Sequence, residues 1–160
     1  MKTKIDEKVN FYSNFDQFLF HPDDVPFELN NLPEVFTRFR KQCEKTCNVR
    51  QLSTEITPLN KENLLGQSFS IPSLIDLNLE IKKPHPNSAF PFKGGSEEAK
   101  SRMDHYFWKT KKLSFYKQTR NGLLGVDYSS KFSAWLANGS ISARQIYWEI
   151  ISYEKEINKN

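Results

Sequence analysis

The residues best suited to chemistry form one serine-rich stretch, Asp127-Tyr128-Ser129-Ser130-Lys131-Phe132-Ser133. It follows Gly125 and precedes an apolar pattern of helical period. In the first turn of a helix the backbone N–H groups lack intrahelical partners, and the helix dipole favours negative charge. Hydroxyl and ammonium donors added to such a turn suit an anion such as phosphate. Because serine is also a common helix N-cap, the stretch by itself leaves a purely structural role open.

The other reactive side chains fit ordinary structural roles. The three histidines, His21, His85 and His105, have no triad partners at a recognisable spacing. Cys43 and Cys47 lie four residues apart on a predicted helix, and no second pair of Cys or His follows at zinc-ligand spacing. We therefore expect no metal site, and we assign no catalytic residue.

Charge is distributed unevenly along the 160 residues. The net charge is only +4, but nine basic and four acidic residues lie between Ser96 and Gln145. Aromatic residues, 14% of the chain, are interleaved with these basic residues. A basic, aromatic-rich segment is typical of surfaces that bind nucleic acid. A nucleic-acid-binding module without a cofactor is therefore one hypothesis for this chain.

Proline divides the chain into an irregular first part and a helical last part. All eight prolines lie between Pro22 and Pro91. In the first part, the spacing of apolar residues predicts a short strand over 18–20 and a helix over 32–45. A capping box of Asn31 and Glu34 would start this helix. In residues 48–93 the apolar residues recur with no sustained helical or strand period, apart from a short helix predicted over 71–79. An irregular stretch of that length is typical of an interdomain linker.

Four helices are predicted after the linker. The first starts at Ser96, the second covers 113–121, the third runs from near Ser130 to Gly139, and the fourth starts at a capping box of Ser142 and Gln145. They carry eleven aromatic residues, more than four short helices bury among themselves. A structural half that assembles with a separate remainder is thus a further hypothesis.

Several separated motifs resemble the flavin domain of DNA photolyases and cryptochromes. Residues 116–120, 129–133 and 135–144 are similar to the opening of that domain, in the same order. Residues 21–27, 32–37, 90–95 and 120–122 resemble the DASH branch of the family in particular. The resemblance runs from about Phe18 to Tyr153 and is interrupted by a divergent linker.

The resemblance implies a cofactor and site residues. In that family the serine-rich turn holds the diphosphate of FAD, and an arginine lies by the DNA phosphates. Full-length members use blue light to repair cyclobutane pyrimidine dimers, in the DASH branch mainly in single-stranded DNA, or to signal, and an antenna folate is possible. Carried over residue by residue, Arg120 is the DNA contact, and the FAD contacts are Tyr116, Ser129, Ser130, Lys131, Phe132 and Ser133.

The resemblance also implies a domain organisation. It predicts a mainly α chain: residues 1–47 as a remnant of the end of an α/β antenna domain, 48–95 as the linker, and 96–160 as the first part of the FAD-binding helical domain. In the family, further helices enclose the flavin and carry a tryptophan relay, at positions that Trp108, Trp135 and Trp148 do not match. We therefore expect an incomplete chain that binds FAD weakly or not at all, lacks repair activity alone, and pairs with the missing remainder.

The sequence also carries expectations about location. Residues 1–10 are charged and lack the apolar centre of a secretory signal. No apolar run approaches the length that spans a bilayer. We expect an intracellular protein that does not enter a membrane, in a compartment that the sequence leaves open.

Overall fold

Helices make up the regular structure of the chain in the computed structural model, which describes residues 10, 12, 14–15, 17–53, 60–64, 66 and 69–158. The α-helices are α1 (Phe36–Thr46), α2 (Ser96–Asp104), α3 (Tyr116–Thr119), α4 (Ser133–Ala137) and α5 (Ala143–Ile157). A π-helical turn, His105–Lys109, extends α2, and 3-10 turns cover Pro22–Asp24, Leu29–Asn31, Lys61–Asn63 and Lys112–Phe115. No strand occurs among the described residues, so the predicted mainly α class is confirmed.

The chain divides into two compact units. The first unit combines Met1–Gln51 with Trp135–Asn160, and the second unit is Leu52–Ala134. The serine-rich stretch and every residue expected to contact FAD or DNA lie in the second unit. The domain boundaries expected from the sequence stay a prediction. Part of that prediction concerns residues 1–9 and 54–59, which lie outside the described residues.

A chain of polar contacts links α5 to the segment around Arg50 in the first unit. The indole N–H of Trp148 on α5 donates to the carbonyl of Arg50 at 3.1 Å. The guanidinium of Arg50 in turn donates to both carboxylate oxygens of Asp24, at 2.6 and 2.8 Å. Such a bidentate pair fixes geometry better than a single contact. This chain of contacts fastens the 3-10 turn at Pro22–Asp24 to the segment that α5 touches.

The start of α5 confirms the predicted capping box. The Ser142 hydroxyl accepts from the Gln145 N–H at 3.1 Å, and the Gln145 side chain accepts from the Ser142 N–H at 2.8 Å. We expect Ser142→Ala to lower the free energy of unfolding by about 1 kcal/mol, because it leaves a helix-start N–H unpaired. Urea unfolding followed by circular dichroism measures this. Ser152→Ala, which removes an exposed hydroxyl in the same helix, is the control, and an equal loss in both variants would contradict the capping role.

The second unit packs around α2 and its π-helical extension. Ala99, Tyr106 and Phe107 are buried along this continuous segment. The Phe107 ring meets the buried Phe132 ring edge-on, with centroids 5.9 Å apart. A π-helical turn inserts an extra residue into the helical period. The packing of Phe132 fixes the serine-rich stretch against α2.

Before α2, three sequence predictions differ from the structure. Helix α1 begins at Phe36 rather than near Leu32, because Leu32 precedes a proline and is extended, with φ −69° and ψ 142°. The predicted strand over 18–20 is absent from the described residues, where no second strand offers a ladder for it. Residues 74–78 form a turn instead of the expected short helix.

No helix of the described ranges is both long enough and apolar enough to cross a membrane.

Candidate functional site

A buried arginine organises the serine-rich stretch. Arg102 lies on α2 and is only 4% exposed. Its Nη1 donates to the Asp127 carboxylate at 2.6 Å, and its Nε donates to the carbonyl of Ser130 at 3.2 Å. Its Nη2 donates to the carbonyls of Val126 and Ser129, at 3.0 and 3.1 Å. One guanidinium thus binds four acceptors within residues 126–130. We call residues 126–133 the serine turn.

This arrangement directs backbone donors away from Arg102. No peptide bond among the described residues is cis, and in a trans peptide the carbonyl and the N–H point in opposite directions. Because the carbonyls of Ser129 and Ser130 face the guanidinium, the N–H groups of Ser130 and Lys131 point away from it. Neither N–H has a hydrogen-bond partner within the described ranges, nor do the hydroxyls of Ser129, Ser130 and Ser133. The turn therefore offers several donors to an acceptor that is not part of the described chain.

Lys131 has an unusual backbone conformation within the serine turn. Its φ of 66° lies in the left-handed region, which costs a side-chain-bearing residue about 1–2 kcal/mol. Its ammonium lies 3.6 Å from the centroid of the Tyr128 ring, a cation–π contact. A left-handed residue cannot belong to a right-handed helix, so α4 begins at Ser133 and not near Ser130 as the sequence predicted. The donors of Ser129, Ser130 and Lys131 consequently belong to an irregular loop that precedes α4.

The charge of Asp127 depends on its partners. Burial acts to raise the pKa of this carboxyl, but hydrogen bonding and charge from Arg102, with a smaller contribution from His105, lower the pKa below its ordinary value. His105 Nε2 lies 3.7 Å from the second carboxylate oxygen. Asp127 therefore stays ionised and paired at neutral pH.

The lowered pKa of Asp127 predicts a pH dependence. A carboxyl with a lowered folded-state pKa stabilises the fold above its ordinary pKa, and this stabilisation is lost as the pH falls through the folded-state value. We expect the difference in unfolding free energy between wild type and Asp127→Asn to be largest near about pH 6 and to shrink below about pH 4. Urea unfolding across this range measures it, with Glu97→Gln, which weakens an exposed pair with Lys100, as the control in the same unit. A difference that does not vary with pH would contradict the ion pair.

Two aromatic rings pack against the guanidinium of Arg102. The Arg102 carbon Cζ lies 4.9 Å from the centroid of the Phe92 ring and 5.0 Å from that of Tyr106. The Tyr106 hydroxyl is buried and has no partner in hydrogen-bonding geometry among the described residues. Burial raises the pKa of Tyr106, and Tyr116 and Asp127 lie close enough to raise it further, while Arg102 and Thr119 oppose the rise. Tyr106 is thus close enough to both Tyr116 and Asp127 for their charges to act on its hydroxyl.

Tyr116 and Arg120 delimit the short helix α3. Tyr116 is 38% exposed, and its carbonyl accepts from the Arg120 N–H at 2.9 Å. The Arg120 side chain is exposed. Two residues later, a Cβ on Gly122 would lie 2.9 Å from the Cβ of Tyr128, so only glycine lets the Arg120 loop approach the serine turn this closely. The loop that carries Arg120 is thereby held beside the turn.

The described structure gives the expected FAD contacts unequal roles. Ser129, Ser130 and Lys131 present donors on one turn, whereas the Phe132 side chain is buried against Phe107 and leaves only its backbone for a ligand. Sequence reasoning missed Arg102 and its part in the turn. The available signal was its position on α2, between Ala99 and Tyr106 on the apolar face, where a surface arginine does not belong. Among the described residues, no three His, Cys, Asp or Glu side chains form a metal-binding group.

Comparison with known proteins gives consistent matches along most of the chain. No protein-family model matches it. The chain is 43% identical over 145 residues to a cryptochrome DASH of Gloeobacter violaceus, covering 89% of this chain and 28% of that protein. It is 40% identical over 156 residues to a cryptochrome DASH of Xenopus laevis, covering 95% of this chain and 29% of that protein. The chain belongs to the DASH cryptochromes of the photolyase/cryptochrome family.

The fold of this DASH cryptochrome chain agrees with that assignment. It superposes on the crystal structure of a Synechocystis cryptochrome with a TM-score of 0.77 and 38% sequence identity. The match covers 89% of this chain and 29% of that structure. The chain therefore spans less than a third of the length of the relatives that it matches.

Proposed function

We propose that this DASH cryptochrome chain supplies the diphosphate-binding turn of an FAD site. The observation that carries the proposal is the set of unpartnered donors at Ser129, Ser130 and Lys131, held in one orientation by Arg102. A diphosphate bears two negative charges and several acceptor oxygens, which fit backbone N–H groups and hydroxyls that point the same way. When bound, the flavin would supply light-driven electron transfer. The chain's own contribution is to bind and orient the cofactor.

The complete protein is proposed to repair cyclobutane pyrimidine dimers in single-stranded DNA, or to signal, under blue light. Arg120 is the proposed DNA contact, because its guanidinium is exposed on a loop held beside the serine turn. Arginine pairs well with phosphate. A target base would have to leave the stack to approach the flavin.

The chain alone is proposed to bind FAD weakly and to lack repair activity. The chain covers less than a third of the length of its relatives. The walls that would enclose the flavin are therefore proposed to come from the rest of the protein, which is the proposed partner.

A chimera tests the proposal. Residues 17–158 would replace the homologous segment of the Gloeobacter violaceus cryptochrome DASH, and flavin absorbance would be recorded after desalting. We expect the chimera to retain FAD, and Ser129→Ala with Ser130→Ala to weaken FAD binding roughly 100-fold, because each variant removes a hydrogen bond to a charged group. Ser152→Ala, remote from the turn in sequence, is the matched control. A folded chimera whose FAD affinity is unchanged by the double substitution would contradict the assignment.

The same chimera separates DNA binding from flavin binding. We expect Arg120→Met to weaken binding of single-stranded DNA and to reduce the salt slope of log K by about 0.7, as loss of one phosphate contact does. Its FAD content should stay unchanged. Unaltered DNA affinity would exclude Arg120 as a contact.

A further inference from the structure

We infer that Arg102 is the positioning residue of the serine turn. It sets the direction of the Ser130 and Lys131 N–H groups without itself touching the diphosphate. The inference rests on the function proposed for the serine turn. All the observed polar contacts of its guanidinium go to residues of the turn, at distances from 2.6 to 3.2 Å. Because three of these acceptors are backbone carbonyls, the guanidinium fixes peptide planes rather than side chains.

The guanidinium is itself fixed in the orientation that this role requires. Asp127 pairs with Nη1, and the Phe92 and Tyr106 rings pack against Cζ. Its planar fork reaches acceptors in three directions at once, which a lysine ammonium on a flexible stem does not reproduce. Lysine at this position would keep the positive charge but lose the geometry.

The structure also explains why the turn needs such support. Lys131 stands in the left-handed region, a conformation that persists only when its surroundings determine it. The Ser130 carbonyl, in the peptide that precedes Lys131, is one of the groups held by Arg102. Loss of that hydrogen bond lets the peptide between Ser130 and Lys131 rotate, and the Lys131 N–H then loses its direction.

The test compares Arg102→Lys with a variant that weakens the same helix without touching the turn. Lys100→Gly is that control, because Lys100 is exposed on α2 and pairs with Glu97 at 3.1 Å, away from the serine turn. Backbone ¹⁵N relaxation of the chain gives order parameters for Ser129, Ser130 and Lys131. We expect about 0.85 in wild type and in Lys100→Gly, and below about 0.6 in Arg102→Lys. A globally weakened but correctly held turn would keep the higher value.

A second experiment compares the binding of FAD with that of riboflavin, which has the same flavin ring but lacks the diphosphate. We expect Arg102→Lys to reduce the preference for FAD over riboflavin about tenfold, by loss of one oriented donor. Should Arg102→Lys fail to fold, Asp127→Ala is the alternative, because it keeps Arg102 but removes the carboxylate that fixes its guanidinium. The same fall in the order parameters of Ser129, Ser130 and Lys131 is expected. A turn that stays rigid in the folded variant, or an unchanged preference for FAD, would overturn the inference. If the turn loosens in Arg102→Lys but the chimera with the wild-type segment binds neither flavin, the positioning role is supported and only the proposed function is contradicted.

Discussion

Replacing Arg102 with methionine is expected to lower the free energy of unfolding by about 3 kcal/mol. The substitution leaves the Asp127 carboxylate and three backbone carbonyls without their donor, and unpaired buried polar groups are costly. The Asp127 side chain is 33% exposed, so water recovers part of the loss and the effect stays near the lower end of the range for buried ion pairs. Urea unfolding followed by circular dichroism measures the change.

Lys100→Met is the matched control for Arg102→Met. It removes a cation from the same helix, but this cation forms an exposed pair with Glu97, and such pairs contribute about 0–1 kcal/mol. A loss of similar size in both variants would contradict the central position of Arg102 in the second unit.

The second large effect is expected from Phe107→Ala, which should cost about 3–5 kcal/mol. Phe107 is 1% exposed and packs edge-on against Phe132, so its removal opens a cavity between α2 and the serine turn. The loss should be visible as a lower urea midpoint and as dye binding to newly exposed apolar surface.

Phe115→Ala provides the comparison for this core substitution. Phe115 is 56% exposed, and we expect its removal to cost less than about 1 kcal/mol. If the two substitutions destabilise the chain equally, the Phe107–Phe132 contact is not the core of the second unit.

Local signals made the helical parts of the chain predictable. The capping box at Ser142 and Gln145 is complete within four residues, and the structure confirms it. The box expected at Asn31 and Glu34 is absent, because Leu32 takes an extended conformation before Pro33. A pattern of capping residues therefore predicts a helix start only where the backbone between them is free to turn.

The sequence drew attention to the serine turn but did not predict how the turn is built. The serine turn stood out by composition, and its interpretation as a helix start failed at Lys131, whose left-handed φ no local pattern indicated. The contacts of Arg102 join residues 24 to 28 positions apart, a separation that spacing rules for helices and turns do not cover. What the sequence did carry was an arginine on an apolar helix face, a signal of a buried polar partner.

The most direct test of the account is a ¹⁵N-labelled titration of the chain with FAD, because it detects even weak binding residue by residue. We predict saturable shifts at the amides of Ser130 and Lys131 and at Tyr116, which riboflavin without the diphosphate does not reproduce at Ser130 and Lys131. Shifts spread over exposed lysines, or none at the serine turn at millimolar FAD, would contradict the claim that this turn binds the diphosphate.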